Sequence, residues 1–182
     1  MAAEPRPVAL AVHVVPMRRR HLRGVLRIEA QVYTRPWSAS LFLSELGLRG
    51  SRVYVVARAG REVVGYAGLM FAVDEAHVTT IAVEPRWQRH QVATRLLLAL
   101  AREAIERGAT GLTLEVRKSN RGAQELYRRF GFEIAGLRKG YYAESNEDAL
   151  VMWANRVDEP EYSGLLALIE RSLADMDGRP AR

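Results

Sequence analysis

A short basic turn that opens a long apolar helix is the first place in this sequence where chemistry is expected. The stretch EPRWQRHQVATRLLLALAREA, residues 84–104, leaves a strand and crosses the turn into the helix. Free N–H groups at a helix start, with the helix dipole, bind anions. The pattern predicts either a phosphate site or a plain basic connection; it matches neither a Walker A loop nor a dinucleotide fingerprint. The residues that would form the site are Gln88, Arg89, His90, Ala93 and Thr94.

The second candidate is a carboxylate on an otherwise apolar strand, Glu115 in LTLEVR. Leu112, Leu114 and Val116 alternate onto one face, which puts Glu115 on the other. We expect this strand near the sheet centre, where a carboxylate is costly unless it is paired or used. Glu115 is therefore either a functional residue or a structural one. In the structural case it lies at a solvent-exposed edge of the sheet or pairs with the neighbours of Arg117.

Aromatic and histidine side chains give weaker signals. Tyr127 lies in the next helix, where a tyrosine is most often a core residue with its hydroxyl at the rim. Tyr141 and Tyr142 are predicted in a turn between the last two strands, as a binding rim or as a hairpin plug. Four histidines are scattered without the spacing of metal ligands, so we interpret them as structural or surface residues and expect no metal site: His13, His21, His77 and His90.

Composition narrows the class of protein. A chain of 182 residues is long enough for one domain with a sizeable core. It has no cysteine, which excludes disulfides, thiolate nucleophiles and cysteine-ligated metals. No apolar run reaches the ~18 residues that span a bilayer, so no membrane partner is expected. The first residues lack the pattern of a signal peptide, and we expect a cytoplasmic protein.

The net charge of +6 invites a nucleic-acid interpretation. The arginines, however, are spread along the chain, and many sit four residues from a glutamate, as Arg107 does from Glu103. Such pairs are typical of a solvated helix face. We therefore expect no direct nucleic-acid binding, although the excess charge favours anionic ligands.

The elements that position these residues alternate between strands and helices. Their predicted order is a strand, two helices, three meandering strands, the long helix, a strand, a helix and two closing strands. This order predicts an α/β fold of mixed α+β type, with a central, mostly antiparallel sheet and helices on both faces. We expect residues 1–157 to form one domain. A C-terminal helical extension with a frayed end should follow over residues 158–182.

Together these segments resemble a family. HVTTIAV, QRHQVAT and LTLEVRKSNRGAQELYRRFGF are similar to the GNAT superfamily of acetyl-CoA-dependent N-acetyltransferases. Within it, RPWS, GYY and EDALVM resemble the RimI-like branch of protein N-terminal acetyltransferases, known in bacteria for acetylating the N-terminal alanine of a ribosomal protein. The resemblance covers about Val14 to Ala154 and leaves out the C-terminal helix.

The resemblance implies acetyl-CoA as cofactor and a protein N-terminus, in a ribosomal protein for instance, as partner. It makes Glu115 the general base and Tyr127 the general acid. Trp37, Tyr141 and Tyr142 would shape the peptide site. The cofactor would bind the preceding strand, the turn and the next helix start: Ile81, Ala82, Val83, Gln88, Arg89, His90, Gln91, Val92, Ala93, Thr94 and Asn120.

These roles agree with the chemistry of amide formation. A peptide α-amine, with a pKa near 7.7–8.0, costs about 1 kcal/mol to neutralise at pH 7, whereas a lysine costs about 4.6 kcal/mol. A glutamate base suits the former, and a tyrosine can protonate the departing thiolate. We therefore expect direct transfer without a covalent enzyme intermediate.

Gln91 departs from the family pattern, which has glycine there. A positive φ at a non-glycine residue costs on the order of 1–2 kcal/mol, so Gln91→Gly is expected to tighten cofactor binding. Two alternatives stay open: a lysine or small-amine acetyltransferase, and a non-catalytic acyl-CoA-binding or partner-binding module.

Overall fold

The computed structural model describes residues 11–178, and the predicted order of elements is confirmed there. The start of the predicted first strand, Leu10, and the predicted frayed end beyond residue 178 lie outside the described residues. Short 3-10 turns at Arg19–His21 and Pro85–Trp87 precede the first and third helices. The elements are β1 (Val12–Pro16), α1 (Leu22–Val32), α2 (Ala39–Gly47), β2 (Arg52–Ala59), β3 (Glu62–Ala72), β4 (Glu75–Val83), α3 (Val92–Glu106), β5 (Gly111–Arg117), α4 (Arg121–Arg129), β6 (Glu133–Tyr142), β7 (Glu147–Asn155) and α5 (Pro160–Asp177).

The described strands form one seven-stranded sheet in the order β1-β2-β3-β4-β5-β7-β6. Every neighbouring pair is antiparallel except β4 and β5, which run parallel and are connected through α3. A parallel pair needs such a crossover because the chain must return to the same end of the sheet. The predicted mixed, mostly antiparallel sheet is confirmed.

Helices cover both faces of the sheet. Leu96 and Leu100 of α3 pack on one face together with Leu166 and Ile169 of α5. The other face carries α1 and α2, whose buried residues include Ile28. In each case the apolar residues recur every three or four positions and form one stripe. The C-terminal helix α5 therefore contributes to the same core as the sheet, as well as pairing with α3 through ion pairs such as Arg102–Glu170.

Several local predictions are confirmed. The Ser38 hydroxyl caps α2 by accepting a hydrogen bond from the Leu41 N–H at 3.2 Å. Gly108, after α3, has φ +81°, and Gly131, after α4, has φ +77°, the left-handed conformation that glycine adopts without a Cβ penalty. No helix in the described part of the chain is long and apolar enough to cross a membrane.

One local prediction is wrong. Tyr141 and Tyr142 are the last two residues of β6, and Tyr142 pairs with Glu147 of β7. The turn itself consists of residues 143–146, where Asn146 takes a positive φ of 50°. Asparagine is one of the residues that tolerate this conformation, so it fits the turn position better than a tyrosine.

Candidate active site

The parallel strands β4 and β5 separate soon after they begin. Their register pairs Glu75–His77 with Gly111–Thr113 and goes no further, although β4 continues to Val83 and β5 to Arg117. The edge of β4 that faces β5 therefore has no ladder partner beyond His77. Because backbone groups demand hydrogen bonds, this edge is available to a ligand. A cleft of about 580 Å³ opens at the carboxyl ends of the two strands, where ligands bind in α/β sheets.

An irregularity in β4 faces the cleft. The register with β3 shifts between Gly68 and Leu69, so Thr79 of β4 is an extra residue without a direct partner. Bulges of this kind bend a strand and turn its side chains. Gly68 has no room for a Cβ, since one would lie 2.4 Å from the Tyr54 ring and 2.7 Å from the Thr79 hydroxyl. Glycine at this position lets the bulge form.

The turn before α3 has the geometry of an anion site. Gln91 immediately precedes the helix and adopts φ 59° and ψ 15°, the left-handed conformation, and Arg89 has φ 65°. The Thr94 hydroxyl donates a hydrogen bond to Gln91 Oε1 at 2.8 Å, so the glutamine side chain is tied to the first turn of the helix. The Val92 side chain is buried in the core. The side chains of Val92 and Thr94 therefore face inward, and the turn has mainly backbone N–H groups to offer a ligand.

Glu115 lies on the cleft side of β5 and has two basic neighbours. Its Oε2 is 3.0 Å from Nε2 of His77, and its Oε1 is 3.3 Å from the guanidinium of Arg138. The prediction that the side chain leaves the apolar face is confirmed by the alternating burial of β5. The alternative of a pair with the neighbours of Arg117 does not form: Glu115 contacts His77 and Arg138, and Lys118, the basic neighbour of Arg117, lies 3.9 Å from Asp148.

His77 is a residue that sequence reasoning missed. It pairs with Thr113 in the last rung of the β4–β5 ladder, and Glu115, two residues on, shares the face of Thr113. Burial, and to a lesser extent the charge of Arg138, lower the pKa of His77, although Glu115 acts in the opposite direction. The imidazole is therefore neutral at pH 7. The signal in the sequence was the alternation of AHV, in which Ala76 and Val78 face the core.

Tyr127 reaches the cleft from α4. Its hydroxyl makes no hydrogen bond with the described residues, and burial raises its pKa above the usual value for tyrosine. The phenol therefore stays protonated at neutral pH. Asn120 also lines the cleft and caps α4, where its Oδ1 accepts a hydrogen bond from the Ala123 N–H at 3.1 Å. The side-chain oxygen of Asn120 is thus hydrogen-bonded within α4, and its side-chain NH₂ group remains available to contact a ligand.

Tyr141 and Tyr142 form part of the wall above Glu115. Their rings meet edge to face at 5.2 Å, and the guanidinium of Arg117 lies 3.9 Å from the Tyr142 ring centre. Burial raises the pKa of Tyr142 to about 12. Because Arg117 also binds the turn of the same hairpin, the aromatic wall is attached to the end of β5.

Trp37 lines a smaller cavity of about 120 Å³ that adjoins the cleft through Tyr33 and Thr80. The Trp37 N–H donates a hydrogen bond to Oε1 of the buried Glu29 at 3.0 Å. Burial raises the pKa of Glu29. Its Oε2 and the hydroxyl of Tyr66 are buried without partners in the described part of the chain. This polar cavity was not predicted from the sequence because Glu29, Tyr66 and Thr79 come from three separate elements, α1, β3 and β4.

The structure thus brings the predicted residues to one side of the sheet. Glu115, Tyr127 and Asn120 line the cleft together with Tyr141 and Tyr142, as does Ile81. The turn residues 88–94 follow directly from β4. A carboxylate and a neutral phenol in one cleft can take up and release a proton, and an anion can bind at the start of the neighbouring helix.

Comparison with known proteins identifies the family. Residues 22–132 match the family model described as "Acetyltransferase (GNAT) family". The chain belongs to the GNAT family. It is 36% identical over 133 residues, 72% of this chain and 88% of the relative, to the "[Ribosomal protein bS18]-alanine N-acetyltransferase" of Salmonella typhimurium. It is 35% identical over 159 residues, 84% of this chain and 95% of the relative, to the "N-alpha-acetyltransferase RimI" of Mycobacterium tuberculosis.

Among solved structures, the ribosomal-protein-S18-alanine N-acetyltransferase from Escherichia coli is similar, with a TM-score of 0.72 and 31% identity over 80% of this chain and 94% of that one. The resemblance to the RimI-like branch of the GNAT family is thereby confirmed. As a GNAT enzyme the chain is an acetyl-CoA-dependent N-acetyltransferase. The left-handed turn before α3 and the unpaired edge of β4 fit this cofactor, since a helix start and an unpaired strand edge both have free backbone hydrogen-bonding groups.

Proposed function

We propose that this GNAT enzyme acetylates the N-terminal α-amine of a protein, with an N-terminal alanine of a ribosomal protein as the first candidate. One observation carries the proposal: the cleft contains both a carboxylate, Glu115, and a protonated phenol, Tyr127. The relatives named as ribosomal-protein-alanine N-acetyltransferases support the choice of substrate. Such a substrate implies action in the cytoplasm.

The cofactor would be held by the β4 backbone at Ile81–Val83, by the turn at residues 88–94 and by the Asn120 amide. When bound, acetyl-CoA supplies the thioester whose acetyl group is transferred. Free N–H groups at the start of α3 are suited to its phosphates, because the helix dipole adds partial positive charge there. Two side chains in this segment stabilise the turn instead: Thr94 through Gln91, and Val92 through the core.

Glu115 acts as the general base in this mechanism. It accepts a proton from the substrate amine, directly or through a water, as the amine nitrogen bonds to the acetyl carbon. His77 and Arg138 contact the two carboxylate oxygens and hold the carboxylate in position in the cleft. The neutral imidazole of His77 orients the carboxylate without repelling an incoming ammonium group.

Tyr127 acts as the general acid. Its hydroxyl donates a proton to the sulfur as the carbon–sulfur bond breaks, and the phenolate regains a proton from solvent. A raised pKa keeps the hydroxyl protonated until this step. The amine thus loses one proton, the sulfur gains one, and the products are an N-acetylated chain and a free thiol.

The peptide would enter past the wall of Tyr141 and Tyr142. The cavity beside Trp37, about 120 Å³ in volume, is of a size for a small first side chain. A methyl or hydroxymethyl group fits there with ordered water beside the free oxygen of Glu29. This favours alanine or serine over a large first residue.

A thiol-release assay with acetyl-CoA and a peptide panel tests the proposal. The panel contains free N-terminal Ala and Ser peptides, an N-terminally blocked lysine peptide, and spermidine. We expect turnover on the free N-termini alone, with a sharp loss in Glu115→Gln. Turnover on the lysine peptide or on spermidine would instead assign a lysine or small-amine acetyltransferase. Cofactor binding with no turnover on any acceptor would reject the enzymatic proposal.

A further inference from the structure

A depression away from the cleft is ringed by arginines. It has a volume of about 710 Å³ and lies between the start of α1, the preceding turn and the β2–β3 hairpin. Four guanidinium groups line it without a carboxylate partner within residues 11–178: Arg20, Arg23, Arg58 and Arg61. Arg20 and Arg61 are 41 positions apart in the sequence, and the fold brings all four arginines to one depression.

His21 adds a buried hydrogen-bond donor to the same depression. Only 5% of the residue is exposed, and its Nδ1 accepts a hydrogen bond from the Arg18 N–H at 3.1 Å. Because Nδ1 is the acceptor, the proton of the neutral ring is on Nε2. That Nε2 has no partner among the described residues. A buried donor left without an acceptor costs free energy, so the site lacks an acceptor that a ligand can supply.

The surroundings keep His21 in this neutral, donating form. Burial lowers its pKa, and the charges of Arg20, Arg58 and Arg18 lower it further. The same positive field that disfavours a second proton attracts an anion. The buried N–H and the arginines without a carboxylate partner therefore favour the same kind of ligand, an anion.

We propose that this depression binds a phosphate group. A phosphate ester carries a charge of about −1.5 to −2 and three strong acceptor oxygens, and guanidinium groups bind it through paired N–H donors. Four arginines and one imidazole N–H line the depression from three segments, and the three oxygens of a phosphate can accept more of their N–H groups than the two oxygens of one carboxylate. The phosphate belongs to a small phosphorylated ligand or to an RNA backbone, two sources with the same chemistry.

The site is separate from the cofactor turn. None of its lining residues belongs to β4, α3 or the cleft. Arg27 and Glu62 also line the depression, but they pair with each other at 3.2 Å, and Arg27 pairs with Glu84 at 3.3 Å as well. The carboxylate of Glu62 also contacts Arg86 at 3.2 Å, so this acid in the lining is already neutralised by two arginines. The inference therefore stands apart from the acetylation chemistry.

Binding of three probes at low ionic strength tests the inference: inorganic phosphate, AMP and a labelled 12-residue oligoribonucleotide. Calorimetry serves for the first two and fluorescence anisotropy for the third. Arg23→Gln/Arg61→Gln is expected to weaken binding at least 10-fold. The control Arg128→Gln/Arg171→Gln, which removes the same charge from exposed positions outside the depression, should change it less than 2-fold. The ring-proton NMR signal of His21 should shift on saturation with phosphate in the wild type.

The outcomes distinguish the two sources of the phosphate group and define the results that would overturn the proposal. The RNA backbone is the source if the oligoribonucleotide binds far more tightly than AMP and its affinity falls with added salt at a slope that corresponds to several phosphates. A small ligand is the source if the oligoribonucleotide and AMP bind with equal affinity. The proposal is overturned if no saturable phosphate binding is found, or if both double variants lose affinity equally. Weakened acetyl-CoA binding in Arg23→Gln/Arg61→Gln would also overturn it, by making the depression part of the cofactor site. His21→Phe, which removes the buried N–H, should also weaken phosphate binding. If this variant misfolds, the result for Arg23→Gln/Arg61→Gln decides the question.

Discussion

The two ends of the proposed site use different parts of the chain. At the start of α3 the groups proposed to bind the cofactor are backbone N–H groups, and the side chains of Gln91 and Thr94 stabilise the turn. On β5 the proposed functional group is one carboxylate, contacted by the side chains of His77 and Arg138. A backbone site tolerates a change of residue type as long as the conformation is kept. A side-chain site does not tolerate such a change, and even an isosteric replacement such as glutamine for glutamate is enough to remove its function.

The largest expected effect is at the side-chain end. Glu115→Gln keeps the shape of the residue but removes the base, so we expect kcat to fall by roughly 100-fold or more. Acetyl-CoA affinity should be unchanged. Steady-state kinetics with Glu133→Gln, an exposed carboxylate on β6, gives the control, which should retain wild-type kcat. A kcat within about 3-fold of wild type in Glu115→Gln would remove Glu115 from the mechanism.

Tyr127→Phe is expected to have the next largest effect. Loss of the hydroxyl should lower kcat by roughly 10- to 100-fold, because the thiolate must then leave without a positioned acid. Tyr162→Phe is a matched control: burial also raises the pKa of Tyr162, and its hydroxyl is likewise unpartnered, but it lies in α5 outside the cleft. Equal losses in the two variants would point to a packing effect instead of acid catalysis.

His77→Asn should have a smaller effect, a fall in kcat of roughly 10-fold. Asparagine cannot place a donor where Nε2 lies, and small misplacements of a catalytic group are costly. KM for acetyl-CoA should stay unchanged, and His77→Gln, whose longer side chain brings an N–H closer to Glu115, should restore part of the rate. His13→Asn, on the exposed part of β1, is the control. Full activity in His77→Asn would show that Glu115 needs no support from β4.

The shifted pKa of His77 also predicts a pH effect on stability. Because its pKa is lowered in the folded state, the unfolded chain binds more protons below about pH 6.5, and stability falls as the pH falls through that range. Removing the histidine removes this contribution. Between pH 7 and 5.5 the Tm of His77→Gln should therefore decrease less than that of the wild type, with His21 contributing equally to both. Parallel Tm curves would show that the two states bind protons equally at His77.

The sequence alone was sufficient for what depends on local pattern. The alternation of β5 put Glu115 on the face away from the core, and the glycines after α3 and α4 marked the ends of those two helices. The resemblance to GNAT enzymes supplied Tyr127, which periodicity alone assigned to the core. What depends on register between distant strands was out of reach: His77 meets Glu115 only because β4 and β5 pair for three residues. The arginines of the phosphate depression looked dispersed for the same reason, since the β2–β3 hairpin carries two of them back to α1.

The smallest effect, and the one that separates the two ends most sharply, is expected at Gln91. The expectation that Gln91→Gly tightens cofactor binding assumed that the strain is incurred on binding. Gln91 has φ 59° in the fold, and the Thr94 hydroxyl ties its side chain to the first turn of α3, so the cost of about 1–2 kcal/mol is assigned to folding. We therefore expect acetyl-CoA affinity to change less than about 3-fold, which is under 1 kcal/mol.

Val73→Gly tests this argument at a matched position. Val73 also has a positive φ, 57°, and is fully exposed in the β3–β4 turn, where its side chain makes no comparable hydrogen bond. Glycine there should raise stability by roughly 1 kcal/mol, or about 2–4 °C in Tm. Gln91→Gly should be close to neutral, because the lost Thr94–Gln91 hydrogen bond, worth about 1 kcal/mol, offsets the relief of strain. A 10-fold gain in acetyl-CoA affinity in Gln91→Gly would contradict this, and would mean that the glutamine side chain obstructs the phosphate site.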